Sequence, residues 1–170
     1  MNKPPKYIRH MHKFMSFSGD LVHIDVATKV FGSDSIIHGA GFLDFSVKEN
    51  KLVVTCYGES ISLDVEPRWD DEKCLLAPLG INVNPNETFK AKYLLSNGSF
   101  IMFSEEMDAL PITNVFYCAN PYAGYVSFSA VDGKIKIECS GHLEGFEFGS
   151  SETHAEIIAD CLYIDSKNLA

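Results

Sequence analysis

The stretch FLDFSVKENKLVVTCYGESISLDV, Phe42–Val65, decides the fold. Glu49-Asn50 reads as one two-residue turn and Gly58-Glu59 as a second. The first turn sets Val47 opposite Leu52, Phe45 opposite Val54 and Leu43 opposite Cys56. The second sets Cys56 opposite Ile61, Val54 opposite Leu63 and Leu52 opposite Val65. Strand side chains alternate between two faces, so every one of these residues falls on the same face. Asp44, Ser46, Thr55, Ser60, Ser62 and Asp64 fall on the other. A slip of one residue would turn the whole apolar set toward water. The pattern predicts a three-strand antiparallel meander.

The same logic extends in both directions. Asn97-Gly98 and Asp132-Gly133 are strong two-residue hairpin signals. The first sets Leu95 opposite Phe100 and Tyr93 opposite Met102, with apolar residues on both faces, so the hairpin needs cover on each side. The second sets Ala130, Phe128 and Val126 opposite Ile135, Ile137 and Cys139. In LVHIDVATKVF, Val22, Ile24 and Val26 alternate with His23, Asp25 and Ala27, which predicts a half-buried strand. HLEGFEF, 142–148, reads as a further strand, and SEEMDAL, 104–110, as a short helix ending before Pro111. SETHAEIIADCLYI places Ala155, Ile158, Ala159 and Leu162 at helical spacing behind an N-cap at Ser151, with Glu156, Asp160 and Tyr163 outward. The expected fold is mainly β within the α+β class: an antiparallel sandwich or barrel built from hairpins and a meander, with one C-terminal amphipathic helix. The chain divides into a basic flexible arm, 1–13, broken by Pro4-Pro5, and a single globular domain, 14–170.

Composition bounds the function. Hydrophobic residues make up 46% of the 170 and charged residues 22%, as in an ordinary globular protein. The formal net charge is −9. Residues 1–13 carry +4, leaving −13 for the rest. Such a surface disfavours nucleic acid and anionic membranes as partners, since both are dense in negative charge. Only Arg9 and Arg68 could fork a phosphate. Cys56, Cys74, Cys118, Cys139 and Cys161 are odd in number and contain no C-x-x-C, so they read as reduced thiols in a cytoplasmic protein. No signal peptide and no membrane span are expected.

Candidate chemistry is sparse. His10-x-His12 reads as an exposed pair rather than a metal site. His23 and Asp25 share a face of their expected strand, and His38 lies beside Gly39 and Gly41. A hydrolase or isomerase would need at least two of His23, His38 and His142 to meet an acid in one cleft. Cys139 near His142, and Cys161 near His154, read as inert thiols, because the cysteines share apolar faces. No nucleophile elbow, phosphate loop or dinucleotide fingerprint is present, and GAGF at 39–42 reads as a bulge or bend. No catalytic residue, metal or cofactor is expected.

Two features point to a protein partner. EPRWDDEK sets the only tryptophan, Trp69, beside Arg68 and the acids Asp70, Asp71 and Glu72. Trp and Arg are enriched at binding hot spots, and acids around them would steer a basic partner. The alternative is a Trp69 tucked over an open edge of the core. From Glu138 to Asp165 seven acids occur without one Lys or Arg, and Glu144, Glu147, Glu152, Glu156 and Asp160 are the candidates for a partner-facing field. On these residues the chain resembles, in general type, the immunity proteins that bacteria pair with secreted nuclease toxins. That resemblance implies occlusion of a toxin's cationic site by carboxylates. A second possibility is a small-molecule binder whose aromatic-rich strands wall a cavity.

Overall fold

The computed structural model describes residues 4–18, 20–76, 88–116 and 120–170, so the first three residues of the expected arm and Cys118 lie outside it. Strands β1 (Lys6–His10), β2 (Lys13–Phe17), β3 (Gly39–Lys48), β4 (Lys51–Tyr57), β5 (Thr88–Ser96), β6 (Ser99–Phe103), β7 (Tyr122–Val131) and β8 (Lys134–Ser140) form one antiparallel sheet in the order β4-β3-β1-β2-β6-β5-β7-β8. Four helices accompany it among the described residues: α1 (His23–Phe31), α2 (Asp71–Leu76), α3 (Ala109–Ile112) and the C-terminal α4 (His154–Cys161). The sheet curls into a half-barrel. Phe45 of β3 stacks on Phe128 of β7 at 5.1 Å, and the backbone N–H of Gly133 in the β7–β8 turn donates to Asn50 Oδ1 in the β3–β4 turn at 2.9 Å.

Strand alternation builds two cores. Tyr7, Phe14, Tyr93, Leu95, Phe100 and Phe128 point to the concave side, where Leu75 of α2 and Ile158 and Ala159 of α4 cover them. Ile8, Met15, Phe17, Leu94, Ile101 and Phe103 point to the convex side, under Val26 and Ala27 of α1 and Ala109 and Ile112 of α3. The Asn97-Gly98 hairpin is therefore covered on each side, as its two apolar faces require. Burying a leucine- or phenylalanine-sized side chain contributes roughly 1.5–3 kcal/mol, so the two layers supply the main drive to fold.

The three hairpins take the expected registers: Val47↔Leu52 and Phe45↔Val54, Leu95↔Phe100 and Tyr93↔Met102, Ala130↔Ile135 and Phe128↔Ile137. The third strand of the meander does not form. Residues 60–65 make a tight turn closed by a single Ser60–Val65 bridge, and Ile61 is 88% exposed. The turn residues explain the difference. Glu49-Asn50, Asn97-Gly98 and Asp132-Gly133 all have positive φ at both positions, as a tight hairpin demands. Gly58 has φ +72°, but Glu59 does not join it in the left-handed region, so the chain swings off β4.

Other expectations are corrected. The segment expected as strand 22–26 is helix α1. His23, Val26, Ala27 and Val30 recur at helical spacing and pack on the convex core or beneath it, while Val22 and Ile24 face out. The segment expected as a flexible arm is not one from Lys6 onward: β1 is an interior strand, paired with β2 and β3. Its Tyr7 and Ile8 are fully buried, and two such anchors outweigh the disorder suggested by Pro4-Pro5. HLEGFEF is a loop that touches β7 through one bridge, Tyr122–Phe148. The short helix is α3, which starts at Ala109 behind the N-cap Asp108 and holds Pro111 in its first turn, where a missing N–H is harmless. Helix α4 starts at His154 behind Thr153, two residues later than expected, while Ser151 Oγ accepts from the Thr153 N–H at 3.4 Å, as a cap at Ser151 would.

Candidate partner-docking surface

The polar segment after residue 65 is tied down by one buried arginine. Arg9, facing the concave side from β1, donates from Nε to Asp71 Oδ1 at 2.6 Å and from one terminal nitrogen to Asp70 Oδ1 at 3.0 Å. Its other terminal nitrogen donates to the Met11 carbonyl at 2.8 Å. Asp71 is fully buried, and its second oxygen accepts from the Tyr7 hydroxyl and from the Arg68 backbone N–H. Burial works against the Arg9 charge, but the hydrogen bond and attraction of Asp71 outweigh it and raise its pKa. Burial, then the bond to Asp71, pushes the Tyr7 phenol far above its ordinary range, so it stays a donor. The network stitches β1 to α2 with every Asp71 oxygen occupied.

This platform displays apolar side chains to solvent. Trp69 stands between Arg68 and Asp70 and is 93% exposed. Met11 is 57% exposed in the β1–β2 turn, next to the carbonyl that Arg9 holds. Ile36 is 71% exposed, and its carbonyl is bonded to His10 Nδ1 at 2.6 Å. Met11 N–H donates to His38 Nδ1 at 3.0 Å, which closes the ring of contacts. The rings of His10 and His38 lie 5.8 Å apart. Burial, then the nearby charges of Arg9, His10 and Arg68, lowers the His38 pKa. Large exposed apolar groups gathered around one rigid hub are what a protein-binding surface presents.

The expected site residues divide. Trp69 is not tucked over the core. Asp71 is withdrawn from the surface and cannot touch a partner, because the charge of Arg9 needs it inside. Asp70 is partly buried by the same arginine. Glu72 is exposed, and its Oε1 accepts the Cys56 N–H at 2.9 Å, which covers part of the open edge of β4. Glu144, Glu147, Glu152, Glu156 and Asp160 are all exposed, and none forms an ion pair with another described residue. Glu138, by contrast, is paired with Lys136 at 2.7 Å. The loop 141–149 and α4 meet around Tyr122, whose ring lies 5.5 Å from Phe148 and 4.9 Å from His154. The carboxylates at 144–160 are thus carried by two neighbouring elements. Arg9, Met11 and Ile36 were missed as parts of the surface. Met11 and Ile36 gave only the weak signal of apolar residues in polar turns.

Potential catalytic groups do not converge. His23 Nε2 bonds the Gly41 carbonyl at 2.9 Å between the rings of Phe17 and Phe42. His38 belongs to the Arg9 hub, and His142 Nε2 bonds the Phe146 carbonyl of its own loop. His12 faces Glu106 at 3.2 Å. Among the described residues no three His, Cys, Asp or Glu side chains gather as a metal site. Burial pushes the Cys139 and Cys161 thiols up to about 11. Phe45 and Phe128, two of the strand aromatics on the concave face, stack on each other within the core. No helix among the described residues is long and apolar enough to cross a membrane. No protein-family model, curated protein or solved structure matches the chain.

Proposed function

We propose that this is a non-enzymatic acidic binding protein that occludes a basic protein partner, in the manner of an immunity protein neutralising a toxin. The observation that carries the proposal is Trp69, almost wholly exposed on a segment locked by a buried ion pair. A rigid aromatic anchor loses little conformational entropy on docking, and its burial would supply the core of an interface. Met11 and Ile36 would extend it. The exposed carboxylates at 144–160 would attract a cationic partner and speed the encounter more than they tighten the final complex.

A pull-down from the source cells, followed by kinetics on the captured protein, tests this. Because Trp69 is the only tryptophan, its emission reports docking directly when the partner's own tryptophans are silent or replaced. A basic protein should be retained, the emission should shift to the blue, and association should slow from about 10 mM to about 1 M salt, as the Debye length shrinks from about 30 to about 3 Å. A partner that leaves Trp69 as water-exposed as before, or an association rate flat across that salt range, would overturn the proposal.

A further inference from the structure

We propose that the cleft between the α3 region and the loop 145–147 is the seat of one arginine or lysine side chain, supplied by the basic partner. The identity of the donor rests on the reading above; the cleft's preference for such a cation does not. The cleft measures about 410 Å³, at the lower end of the range of ligand sites, and suits a side chain with its adjoining peptide better than a cofactor. Leu110 and Phe146 offer apolar surface to an alkyl stem. Thr113, Asn114 and Asn120 offer oxygen acceptors, and Glu147 is the only ionisable residue among the described lining residues. Among the described lining residues there is no Lys, Arg or His, so an anion would find no counter-charge there and would face the carboxylate of Glu147. A cation on a short apolar stem satisfies each group.

Both walls are held in place. The backbone N–H groups of Leu143 and Phe146 donate to the carbonyls of Ala123 and Leu143, and Ala123 N–H donates to the Phe148 carbonyl at 3.0 Å, so the acidic loop is pinned to β7. Opposite, Asp108 caps α3 through Leu110 N–H, and Thr113 Oγ1 donates to the Leu110 carbonyl at 2.6 Å. The two walls close on each other at Gly145, where an added Cβ would stand 3.4 Å from Leu110. Glu147 has no ion pair with another described residue, and Glu144 on the same loop adds to the negative potential.

The test is an amide-resolved NMR titration of the full chain with three capped tripeptides, Gly-Arg-Gly, Gly-Lys-Gly and the neutral citrulline analogue of the first. The arginine and lysine peptides should shift the amides of 113–114 and 145–147 and bind in the millimolar range. The citrulline peptide should not. Glu147→Gln, exposed and harmless to folding, should weaken the charged peptides about threefold to fivefold, the worth of one exposed charge pair. Equal shifts from the citrulline peptide, or affinities untouched by E147Q, would overturn the cleft assignment. So would shifts confined to α4 or to Trp69, an outcome that leaves the basic-partner reading standing. Cation binding at the cleft with no basic protein retained in the pull-down would support the cleft and sink the partner.

Discussion

Arg9 Nε and Asp71 Oδ1 lie 2.6 Å apart although the residues are 62 positions apart in the chain, one on an interior strand and the other at the head of helix α2. Both side chains are withdrawn from water. Removing one partner of a buried pair strands the other charge, which typically costs about 3–5 kcal/mol, whereas replacing both by apolar groups of similar volume is often close to neutral. Asp71→Ala should therefore lower the unfolding free energy by about that amount in urea. The double variant Arg9→Met/Asp71→Leu should lose clearly less than Asp71→Ala alone. Losses in the double variant as large as the two single losses added together would show that the residues do not act as a pair.

Gly39 owes its identity to the same carboxylate. A Cβ added there would stand 2.2 Å from Asp71 Oδ2 and 2.5 Å from Oδ1, closer than any real contact. Gly39→Ala should cost about 1–3 kcal/mol, as overpacking of a filled interior does. The clash disappears with the oxygens, so in an Asp71→Ala background the same glycine change should cost little. Urea midpoints of the four proteins in this cycle check the coupling. Equal costs in both backgrounds would place the strain elsewhere.

What was legible in the sequence is what depends on neighbours in the chain. Each hairpin register followed from a turn whose two residues both tolerate positive φ, together with period-two apolar runs. The meander fails at Glu59: Gly58-Glu59 reads as a turn, but only Gly58 takes positive φ. Helix α1 was misread because nine residues with Val22, Ile24 and Val26 fit a strand, while His23, Val26, Ala27 and Val30 fit a helix equally well. Only the convex face of the sheet decides between them. The docking surface was half legible. A lone tryptophan among acids marked its centre, but nothing local tells that Asp71 turns inward to meet Arg9, a contact made by topology.

The thiols are partly buried and should be weakly acidic. Burial pushes Cys56 up to about 12 and Cys139 and Cys161 up to about 11. At neutral pH the thiolate that reacts is then a minute fraction. In a Cys118→Ser variant, a disulfide reagent should label Cys56, Cys139 and Cys161 slowly in the native protein and fully in denaturant. Fast native labelling of any of these three would show that their partial burial does not hold back the thiolate.

Trp69 should be dispensable for the fold. A side chain 93% exposed contributes little to the core, so Trp69→Ala should change stability by no more than about 0.5 kcal/mol. The same change should weaken partner binding by about 2 kcal/mol or more, roughly thirtyfold, if the residue is a central anchor. Thermal unfolding and titration calorimetry separate the two effects. A variant that binds as well as the parent would remove Trp69 from the interface.

The last prediction concerns the far end of the half-barrel, where α4 is held by a second tyrosine. His154 Nδ1 lies 2.6 Å from the Tyr93 hydroxyl and 3.3 Å from the Ser151 N–H, both of which donate to it. The imidazole is therefore neutral, and burial lowers its pKa below the ordinary 6.5. His23, buried between Phe17 and Phe42, is lowered for the same first cause. Above pH 6.5 neither folded nor unfolded chain binds a proton at these sites, and the stability they permit is fully present. Below it the unfolded chain takes up protons that the folded chain refuses, so stability falls as the pH drops from 6.5 toward the folded values. Urea midpoints measured between about pH 5 and pH 8 should decline on the acid side. His154→Gln, which keeps an acceptor for Tyr93 and cannot titrate, should flatten that decline by the share His154 carries and leave the shares of His23 and His38, whose pKa values are also lowered. An unchanged slope in the glutamine variant would show that the imidazole takes up its proton as readily inside the fold as outside it.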